Sequence, residues 1–451
     1  MYENYPSDSN NDEEAYAGIY FNRGLRLAAL GRHEEALELY DQAIQINPHY
    51  AGTYNNKGFS LAALGRHEEA LELYDQAIQI NPHYAGTYNN KGASLASLGR
   101  HEEAFVFYNQ AIQIDPNYVE AYNNKGASLA SLGRHEEAFV FYNQAIQIDP
   151  HYAGTYNNKG FSLAALGRHE EALELYDQAI QINPHYAGTY NNKGLSLAKL
   201  GRHEEALELY NQAIQVNPHY AGTYNNKGFS LAALGRHEEA LELYDQAIQI
   251  NPHYAGTYNN KGASLASLGR HEEALELYNQ AIQIDPNYVE AYNNKGASLA
   301  SLGRHEEAFV FYNQAIQIDP HYAGTYNNKG FSLAALGIYE EALKFYDQAI
   351  QLNPQYPVTY NNKGFSLAAL GRHEEALELY NQAIQIDPNY VGAYNNKGAS
   401  LAALGRHAES EECYIQFMRH NSSHNIDHDM HNTEHSIDCI GENGTVRLIE
   451  L

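Results

Sequence analysis

The sequence predicts an all-α solenoid, a right-handed superhelix of paired helices. A string of 34 residues, AGTYNNKGFSLAALGRHEEALELYDQAIQINPHY, fills 51–84 and returns unchanged at 153–186 and 221–254. Near-copies fill most of the remaining chain, so each unit must rest on its neighbours instead of on one central core. Within the first eleven units, apolar residues recur at helical spacing between a Gly and a Pro that punctuate the pattern.

The first helix of a unit is read from Tyr54, Gly58, Leu61 and Leu64, which share one helical face. Gly65 follows directly and can take the left-handed conformation that ends a helix. The second helix is expected to open at Glu68 and Glu69, whose charges suit the positive end of its dipole. Its inner face carries Ala70, Tyr74, Ala77 and Ile78, with Leu73 and Ile80 set toward the next unit. Pro82 disfavours helical geometry at Asn81 and ends the helix there. Gly58 and Ala70 are small where the helices should cross, and Tyr54 and Tyr74 are large enough to fill what remains.

This set of Tyr54, Gly58, Ala70, Tyr74, Ala77 and Pro82 resembles the tetratricopeptide repeat. That family's pattern is an aromatic, Gly, Ala, an aromatic, Ala and Pro at fixed spacing. The resemblance covers residues 17–424, and the set returns through the first eleven units. Tyr stands where the family usually has Trp, and Lys57 stands where Leu is common. Both fit the fold, because Tyr fills a helix crossing and Lys can extend its stem to keep its charge in water.

Units begin at Ala17, Ala51, Ala85, Val119, Ala153, Ala187, Ala221, Ala255, Val289, Ala323, Pro357 and Val391. The first departs at Ile19, Phe21 and Arg23. The twelfth has Ser410, Phe417 and Ser422 in place of Ala, Ala and Pro, and reads as a cap. Unit 119–152 is identical to unit 289–322, five units on, as in a copied block. Residues 1–16 read as a disordered acidic N-terminus. Residues 425–451 read as a polar, His-rich tail, with a weak hairpin expected over 437–449.

The net charge of −27, from 55 acidic and 28 basic residues, argues against nucleic acid as a partner. No apolar run approaches the ~18 residues of a membrane span, and the N-terminus lacks a signal-peptide pattern. A cytoplasmic location is therefore expected, with export by a non-standard route left open. The only Cys residues, Cys413 and Cys439, give the array no disulfide framework. No phosphate-binding Gly loop, nucleophile–His set or catalytic carboxylate pair is present, so neither an enzyme nor a cofactor is expected.

Every unit has Asn at its sixth place: Asn22, Asn56, Asn90, Asn124, Asn158, Asn192, Asn226, Asn260, Asn294, Asn328, Asn362 and Asn396. From the second unit onward another Asn precedes it. Asn is a poor helix former, costing up to about 0.7 kcal/mol against Ala, so its recurrence needs a reason. In tetratricopeptide superhelices the first helices line the inner groove. There these residues resemble the asparagine ladders of family members that grip extended peptides. One amide carries two donors and two acceptor sites, enough to pair with a peptide N–H and C=O. The bland alternatives are that the Asn residues solvate the groove, bond to adjacent units or persist through copying. Three places on, bulky Phe59, Phe161, Phe229, Phe331 and Phe365 alternate with small Ala93, Ala127, Ala263, Ala297 and Ala399. They could seat apolar side chains of a bound segment or pack on the neighbouring helix.

The expected partner is a protein or peptide, with self-association left open and no membrane. Family members that clamp acidic C-termini present Lys and Arg from the groove. Here those places hold Asn and Ala, apart from Lys199. Two other roles compete: a substrate-recognition arm for a separate glycosyltransferase-type enzyme, or an assembly scaffold using the convex face. For the latter, Val106, Val140 and Val310 replace an exposed Glu. His67 and its equivalents read as exposed turn residues. In the tail, His424, His428, His431 and His435 are weak metal candidates from their spacing, set in a sequence that disfavours a helix.

Overall fold

The computed structural model describes residues 9–427. Among them are twenty-four α-helices and no strand. The chain divides into two compact units, up to Ser196 and from Leu197. In both, a first helix such as Ala51–Ala63 pairs with a second such as His67–Ile80, and the pairs stack in chain order.

The turn within a pair forms as its sequence dictates. Gly65 adopts φ +79°, and its N–H donates to the Ala62 carbonyl while the Arg66 N–H reaches back to Leu61. That pair of bonds satisfies carbonyls left free at the helix end and reverses the chain. The second helix opens one residue earlier than expected, at His67. His67 is accordingly half-buried, with Nδ1 enclosed, and is not an exposed turn residue. Burial pushes the imidazole pKa of His237, His271 and His305 down.

The core is a series of small clusters, one at each junction. Leu37, Leu61, Ala70 and Tyr74 pack together, and Leu71 continues to Leu95, Ala104 and Tyr108 of the next unit. Leu71 therefore carries the junction more than the expected Leu73, which is only partly buried. Tyr74 is 1% exposed because the next unit covers it. Its counterpart in the twelfth unit, Tyr414, is 38% exposed. There Cys413 is buried beside Leu377 and Leu401, and Ser410 Oγ donates to the Gly398 carbonyl at 2.8 Å. The cap thus keeps a sealed inner side, while Tyr414, Ile415 and Met418 stay exposed on its outer side.

The first helix starts at Ser9, within the stretch expected to be disordered. No Pro or Gly between Pro6 and Gly18 interrupts it. The last helix runs to Asp427. The expected hairpin over 437–449, together with His428, His431 and His435, lies outside the described residues. No group of three His, Cys, Asp or Glu able to hold a metal occurs among the described residues.

Glycine at the crossing is a steric requirement. A Cβ at Gly330 would lie 2.8 Å from Cε1 of Tyr346, a ring with no exposed surface. Gly330→Leu should overpack this crossing and cost about 1–3 kcal/mol. Hydrogen exchange should then accelerate in Ala323–Ala335 and Tyr339–Leu352 and leave distant pairs unchanged, because neighbour contacts alone couple the stack. The second helix here has a sequence found nowhere else in the chain, so its fragments are unambiguous.

Candidate functional site: the asparagine row

Successive first helices approach within 8 Å between Cα atoms, as Ala85–Ser97 and Val119–Ser131 do. Successive second helices do not, among the described residues. Within each unit of the chain the stack is therefore wedged, with first helices along the narrow edge. The Asn pairs sit on these helices.

The structure shows an asparagine ladder and how it is held. Asn124 Nδ2 donates to Asn89 Oδ1 of the preceding unit at 3.0 Å. Asn124 Oδ1 accepts from Asn123 Nδ2 at 3.2 Å. The same step recurs from Asn90 to Asn55, Asn158 to Asn123 and Asn192 to Asn157 in the first part of the chain. In the second part it links Asn260 to Asn225, Asn294 to Asn259, Asn328 to Asn293, Asn362 to Asn327 and Asn396 to Asn361. Most fifth-place residues are buried, Asn123 at 5% exposure, with Asn395 half-buried; Asn124 and most sixth-place residues are half-buried, and Asn22 is exposed. Asn328 and Asn396 are buried.

Asn56 proves the rule by lacking its partner. The first unit has Phe21 at the fifth place, and Asn56 Nδ2 turns to the Gly52 carbonyl of its own helix at 2.8 Å. A rung such as Asn124 or Asn158 thus spends one N–H on the preceding unit and one acceptor site on the Asn before it. For Asn124 one N–H and one acceptor site remain, which still match one peptide C=O and one N–H. The bonds between units fix the rotamer of such an amide.

Phe59 and Phe161 are half-exposed, one helical turn beyond the Asn row. Phe59 also stacks edge-on at 6.4 Å against His33 of the preceding second helix, so it packs and projects at once. Phe229 and Phe365 are exposed, and Phe331 is half-buried. Small Ala297 is buried.

Charge is neutralised away from this row. Lys57 pairs with Asp41 on the preceding second helix, and Lys91 pairs with Asp75 in the same way. Where that acid is Asn, the ammonium donates to it instead: Lys125 to Asn109 at 2.7 Å and Lys159 to Asn143 at 2.8 Å. Burial lowers the pKa of both lysines. Lys125 also lies 4.0 Å from the Phe141 ring centroid. The signal was in the sequence, as Asp or Asn sixteen residues before each Lys. On the second helices, Val106, Val140 and Val310 are exposed and separate from the Asn row.

The profile described as Tetratricopeptide repeat matches residues 49–117, 84–151, 151–218, 219–287, 253–321 and 321–389. A second so described matches 379–412, and one described as TPR repeat matches 24–65. The chain belongs to the tetratricopeptide repeat family. The crystal structure of the APC/C hetero-tetramer Cut9-Hcn1 is similar in fold, with TM-score 0.51 and 14% identity over 91% of this chain and 94% of that one. The crystal structure of yeast Tom70 aligns at TM-score 0.45 and 15% identity over 91% and 92%. No curated protein matches the sequence. Tandem tetratricopeptide repeats support a protein-interaction scaffold, and scaffold families of this kind are typically non-catalytic. No helix of the described residues is long and apolar enough to cross a membrane.

The ladder's stability is testable in the uniquely sequenced units. Asn327→Ala removes the acceptor of Asn362 Nδ2, a bond of 3.3 Å. The expected cost is about 0.5–1.5 kcal/mol, seen as faster hydrogen exchange in Pro357–Ala369.

Proposed function

We propose that this chain binds other polypeptides in extended form along the edge made by its first helices. The observation that supports this most is the residual pairing capacity of half-buried rungs such as Asn124, set in a sixth-place row that runs through Asn22, Asn56, Asn90, Asn124, Asn158, Asn192, Asn226, Asn260, Asn294, Asn328, Asn362 and Asn396. A half-buried amide already fixed by its neighbours, with a free donor and acceptor, is suited to a peptide backbone. Such pairing reads the main chain and leaves sequence preference broad. Phe59, Phe161, Phe229, Phe331 and Phe365 would then meet side chains of the bound segment. Affinity accumulates over linked weak contacts, so a longer segment engages more rungs and binds more tightly.

A scaffold acting through the second helices is the competing reading, because Val106, Val140 and Val310 are exposed there. The two separate in a capture experiment. Wild-type protein and a variant with Asn56, Asn90, Asn124 and Asn158 changed to Ala are used as bait, with partners identified by mass spectrometry. Loss of about 0.5–1.5 kcal/mol per rung predicts that the variant binds its partner at least tenfold more weakly at unchanged helix content. Equal recovery by both baits would contradict the asparagine row as the binding element.

A further inference from the structure

The second place of a unit is Gly in most units, among them Gly52, Gly86, Gly154 and Gly256, and Val358 in one. Only Glu120 and Glu290 place a charge there. Each lies in the first turn of its helix, Val119–Ser131 or Val289–Ser301. Each also stands four residues before a ladder rung, Asn124 or Asn294. Residues four apart share a helix face, so carboxylate and amide are neighbours on the narrow edge.

Tyrosines gather around both carboxylates. Tyr118 precedes the Val119–Ser131 helix and packs against Ala85, Tyr88 and Ala121. The Glu120 charge acts on Tyr118 and on Tyr152 of the following unit, and Tyr84 adjoins Tyr118 from the preceding one. Burial, with Glu120 behind it, pushes the Tyr118 phenol up to about 12. In the other part of the chain Glu290 stands in the same relation to Tyr288, Tyr254 and Tyr322. Tyr288 packs against Ala255 and Ala291.

Both carboxylates are half-buried, and neither has a cation partner among the described residues. The lysine on each of these helices is committed elsewhere, Lys125 to Asn109 and Lys295 to Asn279. A partly desolvated carboxylate among aromatic rings suits a cation, the anion giving charge-assisted hydrogen bonds and the ring faces adding cation–π attraction. The chain's charge of −27 also steers cationic segments toward it.

We propose that Glu120 and Glu290, each with its surrounding tyrosines, receive a Lys or Arg side chain of the polypeptide held on the adjoining asparagine rung. This rests on the peptide-binding reading above and narrows it to basic segments. Two positions then acquire side-chain preference on an edge that otherwise reads backbone.

The test uses the full chain and two probes, a Gly-Ser-rich extended peptide with one Lys and the same peptide with Gln in its place, followed by calorimetry. Wild-type protein should bind the Lys peptide about tenfold more tightly than the Gln peptide. The pair Glu120→Gln and Glu290→Gln should bind both equally. A charge-matched control, Glu72→Gln with Glu276→Gln on exposed second-helix positions, should keep the preference. If wild-type protein shows no preference, or if the control loses it as fully as the site variant, the cation pocket is overturned. If the preference survives in Asn124→Ala with Asn294→Ala at unchanged affinity, the pocket stands and the asparagine reading fails. The reverse pattern, rung dependence without Lys preference, leaves backbone recognition standing and removes the pocket.

Discussion

One contact organises the whole array: the second-helix tyrosine of each unit is buried by the first helix of the next. Tyr74 loses nearly all its surface this way, and Tyr414, with no successor, keeps 38% of its own. Ser94 of the next unit faces the Tyr74 hydroxyl, and Ser128 faces that of Tyr108, so the apolar seal has a polar register mark. Burying an aromatic ring stabilises by a few kcal/mol. Because it is shared between units, no unit holds its full core alone, and cooperativity is built from neighbours.

The asparagine ladder applies the same principle to polar groups. A buried amide needs partners, since an unsatisfied one costs about 1–3 kcal/mol. Fifth-place Asn123 meets that need by accepting from Asn158 and donating to Asn124. The ladder is therefore a structural tie from each unit to the next. Bonds between units set the orientation of sixth-place amides such as Asn124. Asn56, deprived of a partner by Phe21, shows what an unsupported rung does: it folds back onto its own helix.

Much of this was legible in the sequence, for physical reasons. The Gly65 turn, the small Gly58 at the crossing and the Pro82 stop are local demands of backbone geometry, and they appear at the expected residues. The half-and-half character of Phe59 was open between projection and packing, and the structure shows both. Other features hid because they join residues of different units. Leu71 looked like one more helical leucine until Leu95 met it. The Lys57–Asp41 pair needed the register between two helices. The fifth-place Asn was noted as a second oddity, but its role as acceptor for the next unit depends on the stacking offset. His67 reads in the sequence as part of the turn, whereas it opens the second helix with its Nδ1 turned inward. Glu120 and Glu290 do not stand out in the sequence, because a charge in a first helical turn has an ordinary explanation in the helix dipole.

Exact repetition shapes how function can be tested. Identical units give identical fragments, so a footprint reports which helix type is covered more readily than which unit. That is the distinction the account turns on. Hydroxyl-radical oxidation of the chain with and without its captured partner, read by mass spectrometry, tests it most directly. Phe59, Phe161, Tyr50 and Tyr84 are all exposed near the first-helix edge, and Val106 and Val140 are exposed on second helices. The account predicts that binding protects the first group and leaves the second unchanged. Protection of Val106 and Val140, with Phe59 and Phe161 still oxidised at the free rate, would contradict it.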